Sequence, residues 1–280
     1  MPCNIRSRRT QDACKITLVV RREEDGIRRY VHLGTGNYND STAKLYTDLG
    51  LLTCSEQIGE DATAVFNMLS GYSEPLYWNR LAVAPLWLKD RFIHLIGREA
   101  NNARSGKRSH IIAKVNSICD KEVIEALYDA SCAGVKIELI VRGICCLKPQ
   151  VKGVSENITV RSIVGDFLEH SRIFYFENAG NCEVYCGSSD WMPRNLLRRV
   201  EIMFPILDEA LKERVIGILE TLLADTVKAR IEQPNGTYER IDKRGRDLIC
   251  AQQEFCRQAS NKAAEDQVTN SRVFIPIEGA

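Results

Sequence analysis

A histidine followed two residues later by a cation occurs at one place in the chain, at His170 and Arg172. A neutral imidazole nitrogen is a good nucleophile, and phosphoryl transfer otherwise needs mainly positioning and positive charge around the phosphate oxygens. Residues two apart on a strand lie on the same face, so both side chains can reach one phosphate. The pair therefore predicts a phosphoryl-handling site.

The unit that contains His170 is repeated earlier in the chain without its histidine. Each copy has a first residue, a cation two positions on, two apolar strands separated by a polar turn, and a small-residue loop that ends in Asn or Asp. An internal repeat of this kind predicts two related α/β lobes. The corresponding residues are Ala13 and His170, Lys15 and Arg172, and Asn37 and Asp190.

Polar residues that end two predicted strands extend this site. Arg142 and Gly143 follow an apolar strand, and ligands of open parallel sheets bind beyond the carboxyl ends of strands. Gly143 lets a ligand approach the backbone closely, and Arg142 is suited to a phosphate. Lys114 and Asn116 end the preceding strand in the same way. We expect the side chains of Arg142, Lys114 and Asn116 to line the site.

The small-residue loop of the later copy adds hydrogen-bonding groups. It offers backbone N–H groups and the Ser188 hydroxyl, and Asp190 is placed to orient an imidazole. The other histidines are interpreted as ordinary packing or surface residues. They are His32, His94 and His110.

Composition bounds the class of protein. The chain has 280 residues, 44% of them apolar, and a net charge of +1, so no global field favours nucleic acid or an anionic membrane. No apolar run has the length of a spanning helix, and the N-terminus has no signal-peptide pattern, which predicts a cytoplasmic location. The eleven cysteines form no CxxC pair, which argues against zinc.

Hydrophobic periodicity predicts an α/β chain. Apolar residues at Leu88, Phe92, Leu95 and Ile96 form one face of a helix, and a strand–helix–strand unit between 111 and 141 implies a right-handed parallel crossover. Further predicted strands lie at 14–20, 28–33, 158–163, 173–176 and 183–186, and further helices at 61–69, 210–224 and 245–264.

Six segments carry a resemblance to a known family. The chain resembles bacterial polyphosphate kinase of the type built from phospholipase-D-like domains, over about residues 13–240. Several long motifs in one order make the resemblance specific. The segments are residues 35–39, 43–48, 112–117, 141–145, 167–173 and 187–192.

The resemblance implies a domain organisation. Only the last two of the family's four domains correspond to this chain. We expect two phospholipase-D-like lobes with mixed sheets flanked by helices, the first lobe truncated. The expected divisions are a first domain at 1–80 with an atypical leader at 1–12, a second domain at 81–240, and a helix with a polar tail at 241–280.

The resemblance also implies an activity. The family moves the terminal phosphate of ATP onto polyphosphate, reversibly, with Mg²⁺ and through a phosphohistidine; its metal-site arginines have no counterpart in this chain. ATP or ADP and polyphosphate are the implied ligands. A homo-oligomer, or association with a full-length paralogue, is the implied assembly.

Carried over residue by residue, the resemblance assigns roles. Tyr46 and Arg142 match positions that contact the nucleotide, and His170 matches the second histidine, which assists transfer. The phosphorylated histidine corresponds to Ala13, which has no nucleophile, so we expect the phosphohistidine cycle to be impaired. The remaining expected lining residues are Lys15, Asn37, Lys114, Asn116, Arg172, Ser188 and Asp190.

Two other functions stay open at this point. One is a module that binds ATP or polyphosphate without turnover. The other is a phospholipase-D-like phosphodiesterase in which two chains each supply His170, although Arg172 and Asp190 stand where that family has lysine and asparagine. Binding without turnover, or phosphodiesterase activity in a dimer, would distinguish them.

Overall fold

The computed structural model describes residues 11–71 and 73–269, with side chains at 13–71 and 73–263. Most of the expected leader at 1–12 and the last part of the polar tail lie outside these residues. The strands are β1 Gln11–Asp12, β2 Lys15–Glu23, β3 Gly26–Gly34, β4 Tyr46–Thr47, β5 Gly50–Thr53, β6 Ala82–Val83, β7 His110–Val115, β8 Lys136–Val141, β9 Ile158–Ile163, β10 Leu168–Glu169, β11 Ile173–Phe176, β12 Glu183–Gly187, β13 Arg199–Val200, β14 Ile202–Pro205, β15 Ala229–Glu232 and β16 Tyr238–Arg240. The helices are α1 Asp40–Ala43, α2 Glu56–Leu69, α3 Leu88–Arg104, α4 Lys121–Cys132, α5 Pro193–Leu197, α6 Glu209–Leu223 and α7 Ala251–Thr269.

A mixed sheet forms the centre of the second lobe. Its strand order within the described chain is β16-β15-β9-β8-β7-β11-β12-β14-β6. The pair β7–β8 is parallel, as the strand–helix–strand pattern predicted. The pair β8–β9 is also parallel, and the others are antiparallel. Because strands of a sheet present alternate side chains to opposite faces, this sheet contributes to two apolar cores.

The predicted apolar face of α3 packs on one of these cores. Leu88, Phe92, Leu95 and Ile96 are all fully buried there. The Phe92 ring lies 4.6 Å from Phe174 and 5.6 Å from Trp191, between ring centroids. The helical period therefore identified correctly which side of α3 faces the sheet.

Helix ends follow the signals in the sequence. The Asp120 side chain accepts a hydrogen bond from the Val123 N–H and caps α4, as predicted. Gly134 follows the end of α4 with a φ of 97°, a conformation that favours glycine. Helix α2 begins at Glu56, five residues before the predicted start at 61. Ile58 lies in the first turn and is buried on the same face as Ala62 and Val65, so the apolar face of the helix starts earlier than predicted.

The first lobe is a smaller copy of part of the second. Strands β2, β3 and β5 form an antiparallel sheet followed by α2, just as β11, β12 and β14 are antiparallel neighbours followed by α6. Thr35 and Ser188 each exchange two hydrogen bonds with the next strand: Thr35 with the backbone of Leu49, and Ser188 with that of Ile202. The predicted duplication and the α/β class are confirmed.

The two lobes share structure rather than only a linker. One apolar core contains Ile16 and Leu33 from the first lobe and Val184 and Ile202 from the second. Two short parallel pairings, β1 with β13 and β4 with β10, also cross between the lobes. The lobes therefore hold their loops in a fixed relation.

The segment between the lobes, predicted as a joint at 77–85, is anchored by one carboxylate. Asp61 on α2 is 2% exposed and accepts hydrogen bonds from the backbone N–H groups of Asn79, Arg80 and Leu81 at 2.9, 2.6 and 2.8 Å. The chain then forms β6 at the edge of the large sheet.

We expect Asp61→Ala to lower the free energy of unfolding by about 2–4 kcal/mol, because buried N–H groups would lose a charged acceptor. Urea unfolding followed by circular dichroism measures the loss. Glu60→Ala is the matched control, since the exposed Glu60 accepts a hydrogen bond from the Asn79 side chain and its removal should cost under about 0.5 kcal/mol. Equal losses in the two variants would contradict this role of Asp61.

Candidate functional site

The segment that carries His170 is held against the first lobe. It leaves β10, which pairs with β4, and the His170 N–H donates to the Thr47 carbonyl at 3.1 Å. Glu169 and Ser171 point to one side of this extended segment and are buried among polar partners. His170 contacts Tyr46 and Asn116, and Arg172 contacts Asp190.

A buried ion pair fixes Arg172. Its Nε and Nη2 donate to the two carboxylate oxygens of Asp190 at 3.2 and 3.0 Å, while Nη1 donates to the carbonyls of His170 at 2.7 Å and Thr35 at 3.1 Å. Burial by itself raises the pKa of the Asp190 carboxyl, but the Arg172 charge and the Asn116 N–H outweigh it and hold that pKa below its usual value. The Thr35 contact joins the two copies of the repeat.

A series of side-chain contacts connects Arg142 to His170 through Asn116. Arg142 Nε donates to Asn116 Oδ1 at 3.2 Å, and Asn116 Nδ2 lies 3.4 Å from His170 Nδ1. A guanidinium can only donate, so the amide oxygen faces Arg142 and the amide NH₂ faces the imidazole. Nδ1 is then the acceptor, and the proton of the neutral ring is on Nε2.

His170 is a neutral imidazole in this setting. Burial lowers its pKa to about 3, and the positive charges of Arg172, Lys15 and Arg142 add to the effect, with Asp190 opposing it. The Tyr46 ring lies 4.7 Å from the imidazole, between centroids. The ring is therefore held in place on one side by an aromatic contact and on another by an amide.

Tyr46 also fixes the loop of the first copy. Its hydroxyl accepts from the Asn37 N–H at 2.6 Å and donates to the Asn37 carbonyl at 2.8 Å. Asn37, predicted to line the site, is thus tied by its backbone to the residue that touches His170. The Asn37 side chain itself is exposed.

Lys15 and Ala13 reach the site from the first copy. Lys15 is 9% exposed, and burial lowers its pKa while the nearby Glu201 opposes the shift and Arg172 adds to it. The Ala13 N–H donates to the Val200 carbonyl at 3.0 Å. Ala13 is therefore held by its backbone against the strand end at Val200.

Three sequence-based expectations need correction. Lys114 does not face the site: its Nζ is buried behind the segment, 3.2 Å from a Glu169 oxygen and 2.8 Å from the Ser171 hydroxyl. The Ser188 hydroxyl bonds Glu201 rather than standing open to a ligand. Asp190 orients Arg172, and the group next to the imidazole is Asn116. In each case a buried charge needed a partner that sequence spacing did not show.

Three buried polar residues were missed by sequence reasoning. Glu169 bonds Thr47, Lys114 and Gln252, and Glu201 bonds Ser188 and Asn195. The signal for Glu201 was available, because a lone carboxylate between apolar strand residues is rarely left unpaired. Nothing in the sequence links Gln252 to residue 169, which is far away along the chain.

Comparison with known proteins agrees with this geometry. A family model described as polyphosphate kinase C-terminal domain 1 matches residues 7–75, and one described as polyphosphate kinase C-terminal domain 2 matches residues 81–252. The chain belongs to the polyphosphate kinase family. The fold of the family's C-terminal domains and the resemblance seen in the sequence are thereby confirmed.

Individual relatives cover nearly all of this chain. The polyphosphate kinase of Lactiplantibacillus plantarum is 49% identical over 94% of the chain and 38% of its own length. That of Halalkalibacterium halodurans is 56% identical over 82% of the chain and 32% of its own length. The crystal structure of polyphosphate kinase from Porphyromonas gingivalis matches with a TM-score of 0.87 at 37% identity, over 92% of this chain and 40% of that one. The chain therefore spans about two-fifths or less of these family members.

Within residues 11–71 and 73–269, every helix is too short or too polar to cross a bilayer.

We predict that His170 stays neutral down to about pH 4, because burial and three neighbouring cations disfavour the imidazolium. Long-range ¹H–¹⁵N spectra of ¹⁵N-histidine-labelled protein, assigned with a His170→Gln variant, report both the pKa and the tautomer. We expect an Nε2–H pattern and no titration between pH 8 and pH 5. Asn116→Asp should raise the midpoint, since a carboxylate would then face Nδ1. A wild-type midpoint near pH 6.5 would contradict the proposed environment.

Proposed function

We propose that this chain binds ATP and polyphosphate between its two lobes and forms the phosphoryl-transfer site of a polyphosphate kinase. The observation that carries the proposal is the meeting of a neutral His170 with Arg142, Arg172 and Lys15 where the two copies of the repeat touch. In this proposal residues 1–80 and 81–240 are the two domains that form the site, and 241–280 is an appended segment.

The charges at the site favour an anion. Lys15, Arg142 and Arg172 are three cationic groups, and they are opposed by the two carboxyl groups of Asp190 and Glu201. At least one positive charge is then left without a carboxylate partner among these groups. Bound phosphate would satisfy it, and stabilisation of phosphate oxygens is most of what phosphoryl transfer requires of a protein.

Each residue has a distinct role in this proposal. Arg142 uses Nε to hold Asn116, and its remaining N–H groups bind phosphate oxygens. Arg172 is committed to Asp190 and to two backbone carbonyls, so it positions the segment rather than binding substrate. Tyr46 supports the imidazole from the side and meets the nucleotide.

His170 acts through the proton on Nε2. With Nδ1 facing the Asn116 amide, Nε2–H can donate to an oxygen of the phosphoryl group in transit. A histidine in this tautomer assists transfer and does not attack phosphorus. That role matches the second histidine of the family.

Magnesium does not fit as an ion held by these residues. Within the described part of the chain no three His, Cys, Asp or Glu side chains cluster as metal ligands. The nearby carboxylates of Asp190 and Glu169 are paired with Arg172 and Lys114. No catalytic step is therefore assigned to a protein-held ion.

The proposal includes the setting in which the protein works. We propose a cytoplasmic location and an assembly of several chains, either copies of this one or a full-length relative. Ala13 replaces the nucleophile, so the chain binds its ligands and turns them over poorly. If turnover is lost completely, the chain is a module that binds ATP or polyphosphate without reacting with it.

We expect Ala13→His to restore phosphohistidine formation. With γ-labelled ATP, the variant should gain acid-labile, base-stable phosphate at least about 10³ times faster than the natural chain, because loss of a covalent nucleophile costs orders of magnitude in rate. Ala13→Gln is the control for size and polarity, and it should remain unlabelled. Labelling of the natural chain that disappears in His170→Ala would instead show that His170 accepts the phosphoryl group.

We expect Arg142→Gln to weaken ATP and polyphosphate binding about 10–100-fold, because charge-assisted hydrogen bonds to phosphate are lost. Isothermal titration calorimetry on the natural chain and the variant measures this without any turnover. Arg246→Gln is the matched control: this exposed arginine lies in the segment before α7, and its loss should leave affinity unchanged. Equal affinity in all three proteins would refute an anion site at Arg142.

A further inference from the structure

Two cysteines that the proposed reaction does not use lie side by side next to the site. Ile118 forms a parallel bridge with Cys145: its N–H donates to the Ile144 carbonyl, and its own carbonyl accepts from the Cys146 N–H, both at 2.8 Å. In a parallel pairing, residues one step beyond a bridged pair are neighbours on the opposite face. Cys119 and Cys146 occupy those positions.

We propose that Cys119 and Cys146 form a reversible disulfide when the protein meets a peroxide. Adjacent backbones with side chains on a common face satisfy the main geometric condition for such a bond. Cys145, which is next in sequence to Cys146, is excluded as the partner by its orientation, because it lies on the Ile118 side of the pairing and its thiol donates to the Leu147 carbonyl at 3.5 Å.

The two thiols differ in a way that orders the reaction. Cys146 is exposed, whereas Cys119 is partly buried. Burial, the neighbouring Cys146 and the Asp190 charge raise the pKa of the Cys119 thiol, so it is not the first to react. Cys146 is therefore the peroxide-sensitive thiol, and Cys119 is the resolving one.

The chemistry balances with a peroxide as the oxidant. The Cys146 thiolate attacks one peroxide oxygen, an S–O bond forms, the O–O bond breaks, and water leaves after protonation. Cys119 sulfur then attacks the sulfenic sulfur: the S–S bond forms, the S–O bond breaks, and the thiol proton leaves with a second water. The two thiols lose two electrons and the peroxide gains them, and a dithiol reductant reverses the change by exchange.

The bond would join the two loops that carry the His170 support. Cys119 is three residues beyond Asn116, and Cys146 is four residues beyond Arg142. Those two residues already contact each other at 3.2 Å, so the cross-link would hold loops that are adjacent in the reduced protein. This placement predicts stabilisation of the fold rather than distortion.

Peptide mapping tests the bond directly. Cys145→Ser protein is treated with a small excess of hydrogen peroxide, alkylated, digested with trypsin without reduction and analysed by mass spectrometry. We expect a cross-linked species of residues 115–121 and 143–152, lighter by two hydrogens than its parts and lost on reduction. The natural chain should give the same link, and Cys119→Ser or Cys146→Ser should abolish it.

Thermal unfolding gives an independent readout. The closed loop between the two cysteines should raise the Tm of the oxidised Cys145→Ser protein by about 5–10 °C, reversibly with a dithiol, and the Cys146→Ser protein should show no rise. Oxidation of Cys146 to sulfinic acid without a link, a dominant Cys145–Cys146 link in the natural chain, or an unchanged or lower Tm would overturn the proposal. Neither measurement involves ATP, so the outcome is separate from that of the proposed function.

Discussion

The buried pair of Arg172 and Asp190 is the interaction on which the site depends. A guanidinium removed from water is tolerated only when its donors are met, and here one carboxylate and two carbonyls meet them. One of those carbonyls belongs to Thr35 of the first lobe. The Asp190 carboxylate also accepts a hydrogen bond from the backbone N–H of Asn116, which follows the end of β7. A single ion pair thereby fixes both copies of the repeat and the strand end that holds the imidazole.

A second buried pair supports the same segment from behind. Lys114 and Glu169 lie on the side opposite His170 and Arg172, since side chains alternate along an extended chain. Gln252, the second residue of α7, donates to Glu169 at 2.7 Å and bonds both backbone groups of Phe167. The backbone on both sides of His170 is thus held by polar contacts in a buried setting, which fixes the position of the imidazole.

The two copies of the repeat are held in different ways at their first residues. In the later copy the histidine segment is tied down by its neighbours Glu169, Ser171 and Arg172. In the earlier copy Ala13 is held by a backbone hydrogen bond to Val200 and by the strand that begins at Lys15. Neither the sheet nor the shared core requires an imidazole at that position. The backbone of Ala13 therefore contributes to the scaffold through its contact with Val200.

The sequence by itself determined the class of fold, the duplication and the buried face of α3, because periodicity, helix caps and repeated spacing are local signals. Tertiary structure alone decided which charges pair. Lys114 was expected at the site and is buried behind it with Glu169, Asp190 binds Arg172 instead of an imidazole, and Asn116 takes the place next to His170. A buried charge is satisfied by whatever the fold brings near it, often from more than fifty residues away, and no local pattern records that partner.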